Sequence, residues 1–305
     1  MTTSDLSRRT FLARIGVLGA GATVLPHCAP GPDGAAPLET EALDLGPLLD
    51  LLRPILAELA RDTLNGFVAF SVPGRDSYSR AQGTPRAEAG GIEAGGTDFL
   101  IHNLDRFLPL PDQLVRPAAS ALITALRDLP LPLPGGLLGD LLGIPTRLLG
   151  SVEDALRFLI ENDETVPLSL PVALLLNYLA TLANPLSLRG LFLSPFARLS
   201  FADKARALEL LEVVHRDVVA LIDSNLPQPL KSSVSGLLAF FGGALYEFGA
   251  FGCFGEFDVF DPERRVITGR PVGWRLSGYL PDGQTGDGWD DFIGYFQNRR
   301  EVEDA

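Results

Sequence analysis

Ser200-Phe201-Ala202-Asp203-Lys204-Ala205-Arg206-Ala207-Leu208-Glu209-Leu210-Leu211-Glu212-Val213-Val214-His215-Arg216-Asp217-Val218-Val219-Ala220-Leu221-Ile222 carries both a start signal and a face. Ser200 followed by Asp203 has the spacing of a capping box, with Asp in place of the usual Glu or Gln. Phe201, Ala205, Leu208, Leu211, Val214, Val218 and Leu221 form one apolar stripe at helical period. A helix over 200–222 with a core-facing side follows, and it sets the chain among mainly α folds.

Upstream, Ser151 with Asp154 repeats the capping spacing and predicts a short helix through Ile160. From Leu43 to Leu64, Leu48, Leu52, Ile55, Leu56 and Leu59 again fall at helical intervals. Pro47 suits a first turn there, whereas Pro54 is expected to kink or split the helix. Between these segments, residues 107–149 hold Pro109, Pro111, Pro117, Pro130, Pro132, Pro134 and Pro145 among many leucines. They read as short helices joined by proline turns, packed either internally or as an exposed contact surface.

Strand signals wait until Phe257-Asp258-Val259-Phe260, where alternation is followed by Asp261-Pro262-Glu263-Arg264 and then Arg265-Val266-Ile267-Thr268. A small hairpin fits that pattern. Around it, Phe240, Phe241, Tyr246, Phe248, Phe251, Phe254, Phe257 and Phe260 recur through a glycine-dense run. Gly273–Tyr279 and Gly288–Phe296 then add Trp274, Arg275, Tyr279, Trp289, Phe292 and Tyr295. Two readings stay open: an aromatic satellite core holding an irregular tail, or a partner-binding face, since Trp, Tyr and Arg dominate interface hot spots. The expected architecture is an irregular helical bundle with long Pro/Gly-rich loops and a small C-terminal β-hairpin. It would be one helical domain over 41–305, aromatic and glycine-rich from about residue 240.

The chain opens differently. Ser7-Arg8-Arg9-Thr10-Phe11-Leu12 precedes an apolar run from Ile15 to Leu25 that is diluted by Gly16, Gly19, Gly21 and Thr23. Paired Arg8 and Arg9, then Phe11 and Leu12, read as a twin-arginine export signal over 1–28. Such a signal moves chains already folded, which suits a chain that acquires a cofactor in the cytoplasm or one that travels bound to a partner that does. Export to the periplasm or cell envelope is the expected localisation. Residues 29–40 are a flexible spacer by composition. Cys28 is a candidate lipid-attachment site, although His27 stands where a small residue is preferred; plain cleavage and an uncleaved anchor are the alternatives. The next most apolar stretch, Val166 to Leu193, is interrupted by Pro167, Pro171, Asn177, Asn184, Pro185 and Arg189 and does not read as a bilayer span.

Charge narrows the partners. Residues 1–28 hold three Arg and one Asp, so the remainder carries 22 basic and 37 acidic side chains, a net charge of −15. That field repels phosphate backbones and anionic lipid, so neither nucleic acid nor a bare membrane surface is expected as partner; membrane attachment would come only through the signal or a lipid. Some 270 residues are enough to bury a core without disulfides, and Cys28 and Cys253 are the two cysteines present.

Motifs for chemistry are missing. Beyond the signal, His102 and His215 are the histidines, far apart in sequence. There is no G-x-S-x-G elbow, no H-E-x-x-H, no cysteine pair at zinc spacing and no dinucleotide or phosphate-binding glycine loop. No catalytic residue, metal ligand or cofactor site is therefore assigned to this chain.

Three features together resemble the gluconate 2-dehydrogenase subunit 3 family, the small subunits of membrane-bound flavin dehydrogenases. They are the signal on Arg8 and Arg9, the segment Gly91-Ile92-Glu93-Ala94-Gly95-Gly96-Thr97-Asp98-Phe99-Leu100-Ile101, and Gly273-Trp274-Arg275-Leu276-Ser277-Gly278-Tyr279. The second is similar to that family's Glu-Ala-Gly segment leading into a helix, and the third to its Gly-Trp-Lys-Leu-Ile-Gly-Tyr element; Ser200–Arg206 also suits its central helix start. The chain departs from the pattern in lacking a Tyr-Gly-Gly-Asn motif before Trp274, in its 107–149 insert and in the tail from Gly288. The resemblance implies a non-catalytic subunit that binds a large flavoprotein dehydrogenase of the glucose-methanol-choline type, helps it mature with its FAD, and carries it through the twin-arginine translocase. It also allows a cytochrome subunit in the complex. The competing expectation is a stand-alone exported helical protein that binds an apolar ligand or carries an unrecognised hydrolase activity.

Overall fold

The computed structural model describes residues 46–106, 168–212, 216–226 and 234–279, together with residues 117, 120, 121 and 228. Within them the chain is mainly helical, with one two-stranded antiparallel sheet near residue 260. The expected helix over 151–160, nearly all of the 107–149 insert, the spacer and the signal lie outside the described residues.

Helix α1, Gly46–Ser71, is the long axis of the core. Pro47 sits in its first turn as expected, but Pro54 does not split it; the helix runs through that residue to Ser71. Ile55, Leu56, Leu59, Leu64, Phe67 and Val68 are buried at helical spacing. Removing each from water contributes roughly 1.5–3 kcal/mol, and this outweighs the one backbone hydrogen bond that Pro54 cannot make.

A second long helix, α4 (Ser169–Ala183), follows the short α2 (Ser77–Ala81) and α3 (Gly96–Arg106). Every residue from Ser169 through Thr181 is buried, which explains why this stretch is apolar all round rather than on one face. The one strongly polar side chain inside it, Asn177, is satisfied on both sides. Its Nδ2 donates to Thr63 Oγ1 at 2.9 Å and its Oδ1 accepts from Phe196 N at 3.1 Å. Helix α4 has no side-chain cap of its own. Asp105 on α3 supplies it across the fold, accepting from Ser169 N at 2.8 Å and from Ser169 Oγ at 3.0 Å.

Helices α5 (Pro195–Arg198), α6 (Phe201–Glu212) and α7 (Arg216–Asn225) come next. The single helix expected over 200–222 is thus found as two stretches, and residues 213–215 lie outside the described ones. The start is as read: Ser200 Oγ accepts from Asp203 N at 3.1 Å and donates to Asp203 Oδ2 at 3.0 Å. The buried face is as read only in part: Leu208 is buried as expected, and the side chains of Leu211, Val214, Val218 and Leu221 lie outside the described ones. Phe201 is 40% exposed and packs beside Phe70, with ring centroids 4.7 Å apart, whereas Lys204, Ala207 and Leu208 point inward. A lysine replaces a phenylalanine on the core side because the core offers it acceptors.

Helix α8 spans Val234–Phe254, where the sequence suggested an irregular aromatic run. Its glycines mark contacts rather than breaks: a Cβ on Gly252 would stand 2.8 Å from the Phe99 ring, and one on Gly249 would stand 2.8 Å from the Phe67 ring. The expected hairpin is present but short, with β1 (Phe260–Asp261) paired to β2 (Val266–Ile267), Phe260 opposite Ile267. Asp261 Oδ1 accepts from Glu263 N and Arg264 N, each at 3.0 Å, and so shapes the turn. Helix α9, Val272–Ser277, ends the described chain and terminates at Gly278 in the left-handed region (φ 71°).

Candidate functional site

Segments distant in sequence meet at the end of α8. Cys253 is buried there with Val72 from the end of α1, Ala94 from the Glu-Ala-Gly segment and Val272 from α9, and Ala89 and Leu276 pack against the cluster. The two segments on which the family resemblance rests, 91–101 and 273–279, are therefore parts of one junction in space.

Each is built for close approach. Gly91 N donates to Val72 O at 2.9 Å and Gly96 N to Gly91 O at 2.9 Å, so the loop folds back on itself before α3 begins. Gly95 holds φ +68°, a conformation that a side chain resists, with the Asp258 carboxylate beside it. Glu93 closes the loop by accepting from Gly90 N at 2.9 Å. Across the junction, Gly273 lies so near α8 that a Cβ on it would be 2.5 Å from the Phe254 Cα. Burial, with Glu93 nearby, pushes the Cys253 thiol up to about 11. That keeps it a packed thiol rather than a reactive thiolate.

On the outer side of this junction the chain shows aromatic surface. Trp274 is half-buried, with its ring edge-on to Tyr279 at 5.2 Å; Tyr279 and Arg275 are exposed. Phe251 is 58% exposed, and Phe254, Phe257 and Phe260 are each more than two-fifths exposed. Phe99 links them inward, with its ring 5.8 Å from Phe251 and 5.3 Å from Phe257. Rings of this size are normally buried, and several stand exposed in the segments around this junction. Of the sequence-predicted interface, Trp274, Arg275 and Tyr279 are brought together here. Trp289, Phe292 and Tyr295 lie outside the described residues, as do Arg8, Arg9, Phe11, Leu12 and Cys28. Phe251, Phe254, Phe257 and Phe260, part of the aromatic series for which a partner-binding face was one of two readings, are exposed as well.

A second polar concentration lies inside the core and was not foreseen. Asp62 accepts from the Tyr78 hydroxyl at 2.7 Å and from Ser194 N at 2.8 Å, and burial raises its carboxyl above the usual range against those hydrogen bonds. Lys204 Nζ donates to Gly66 O at 2.8 Å and to Gln82 Oε1 at 2.7 Å. Gln82 Nε2 in turn donates to Ala69 O at 2.8 Å. These groups tie α1 to the α2 turn, to α5 and to α6. Asp62 and Lys204 are buried.

Among the described residues, no group of three or more His, Cys, Asp or Glu is placed to hold a metal ion, and no helix is long and apolar enough to cross a membrane. No family model, curated protein or solved structure matches the chain.

Proposed function

We propose that this chain is the non-catalytic small subunit of a flavin-dependent dehydrogenase of the glucose-methanol-choline type, binding the large subunit and escorting it through the twin-arginine translocase. One observation carries the proposal: the Glu-Ala-Gly segment and the Gly-Trp-Arg-Leu-Ser-Gly-Tyr element, far apart in sequence, pack around Cys253 beneath an exposed aromatic surface. A signal on one folded chain exports whatever stays bound during transit. The property required is a slowly dissociating interface, and aromatic anchors with an arginine supply it. Trp274, Arg275 and Tyr279 are the anchors on the described surface, with Trp289, Phe292 and Tyr295 as further candidates from the tail.

On this reading the FAD belongs to the partner and the chain itself needs no catalytic group. A cytochrome subunit is a further partner that the resemblance allows. The mature protein would reside in the periplasm or cell envelope, held to the membrane only through the signal or a lipid on Cys28. The test is co-purification of tagged Trp274→Ala and Trp289→Ala variants with the flavoprotein. Both should retain less partner than the parent chain while leaving their own fold intact; undiminished retention in both variants refutes the interface.

A further inference from the structure

The chain holds 25 basic residues, and Lys204 and Lys231 are its only lysines; the rest are arginines. Lys204 is completely buried, with 0% of its surface exposed. Its Nζ has two hydrogen-bond acceptors, the Gly66 carbonyl and Gln82 Oε1, and the Phe196 ring 5.7 Å away. All three are neutral. No carboxylate among the described residues pairs with it, because Asp62 is engaged by Tyr78 and Ser194, and Asp76 caps α2 through Ser79 N and Ser79 Oγ. Asp62 and Asp76 still attract a charge at Nζ from a distance, but burial outweighs them.

The other packed elements bring no closer compensation. Helix α4 carries no charged side chain and α8 only Glu247, which is exposed. Arg198 on α5 is a cation, and it is engaged by the carbonyls of Ser187, Phe192 and Leu193. On α6 itself, Asp203 caps the helix with Ser200, while Arg206 is exposed.

A buried ammonium without a counter-ion is costly, and the usual relief is loss of a proton. Arginine has no such relief, since it does not deprotonate in proteins; lysine does. A neutral amine also has two N–H donors, which matches the two acceptors present.

We propose that the Lys204–Gln82–Gly66 junction is a proton-sensitive latch, tight with a neutral amine and loosened when the amine takes up a proton. The latch joins α6 to α1 and to the turn after α2, where Phe201 N donates to Gln82 O at 3.0 Å. Acidification would therefore weaken the seating of α6 first. The inference stands on the core alone and does not depend on the proposed partner.

The sign follows from linkage. The folded-state value is lowered from 10.5 to about 7, so as pH falls the unfolded chain binds the proton before the folded one. The contribution is fully present above the unfolded value and is lost as pH drops toward the folded one, by up to tenfold in the unfolding constant per pH unit. Urea titrations of the full chain and Lys204→Met at pH 9.0 and 7.5 measure it. The unfolding constant of the parent should rise about 20-fold more than that of the variant on this acidification. Equal changes in both proteins overturn the latch. Should Lys204→Met fail to fold, the parent chain labelled with 13C at lysine Cε answers directly, because only two lysine signals exist and Lys231→Arg removes one. Titration of Lys204 near neutrality supports the latch, and a midpoint above 10 overturns it.

Discussion

Replacing Gly273 by Ala tests how the aromatic surface is held. A methyl group there would stand 2.4 Å from Phe254 Cδ1, 2.6 Å from Cγ and 2.5 Å from the Cα of the same residue. Carbon atoms at rest sit about 3.5–4.0 Å apart, so the deficit exceeds an ångström. The ring can turn aside; the Cα cannot. Helix α9 must therefore retreat from α8, breaking the contacts of Val272 and Leu276 with Cys253. Overpacking of this kind costs about 1–3 kcal/mol, against which Ala in place of Gly returns up to about 1 kcal/mol of helix propensity. Net destabilisation of up to about 2 kcal/mol follows when that return is taken in full, together with displacement of Trp274 and Tyr279. Two controls separate packing from backbone effects. Gly243 in α8 has nothing within 4 Å of its notional Cβ, so Gly243→Ala should stabilise by up to about 1 kcal/mol. Gly278 also faces open space but holds φ +71°, so Gly278→Ala should cost about 1 kcal/mol through strain alone. Urea midpoints order the three variants as 243 above parent, then 278 and 273 below it. Only Gly273→Ala should also loosen partner retention beyond its stability loss. A Gly273→Ala protein as stable as the Gly243→Ala protein refutes the account of the junction.

Other outcomes follow from single contacts. Asp105→Ala removes both bonds to Ser169 at the start of α4 and should destabilise by about 1–2 kcal/mol in chemical denaturation. Asn177→Leu strands the Phe196 amide in the core and should cost about 1–3 kcal/mol despite its greater apolarity. Burial raises the Asp62 carboxyl above 3.8, so its proton is held more tightly in the folded chain; the stability this adds is present below 3.8 and lost as pH rises through the folded value. Asp62→Asn should remove that acid-side dependence from a pH series of urea midpoints. Cys253, buried with its thiol raised to about 11, should resist thiol reagents at pH 8 in a Cys28→Ser background and react once the chain is unfolded.

Local signals were legible in the sequence and long-range ones were not. The Ser200–Asp203 spacing located the start of α6 because capping involves neighbours three residues apart. The hairpin was legible because the Asp-Pro turn is equally local, but its first strand was placed too early: Phe257–Val259 form a turn, and pairing is confined to Phe260–Asp261 with Val266–Ile267. Helix α8 was missed as an element, since the partners that Gly249 and Gly252 admit, the rings of Phe67 and Phe99, are contributed by other helices. The inward position of Lys204 was hidden for the same reason: its acceptors at Gly66 and Gln82 lie more than a hundred residues upstream. One sign was available, for Lys204 stands at i−3 and i−4 from Ala207 and Leu208 on the same face. The aromatic series from Phe240 to Phe260 was visible. Which of its rings point outward became readable only once α8 gave them a face.

Affinity capture of the tagged chain from its native host, with mass spectrometry and a visible absorbance spectrum of the eluate, addresses the escort reading most directly. That reading predicts a stoichiometric flavoprotein without an export signal of its own and the absorbance bands of bound flavin. A colourless eluate holding this chain alone would contradict it, and the stand-alone exported protein with an apolar ligand or hydrolase activity would take its place.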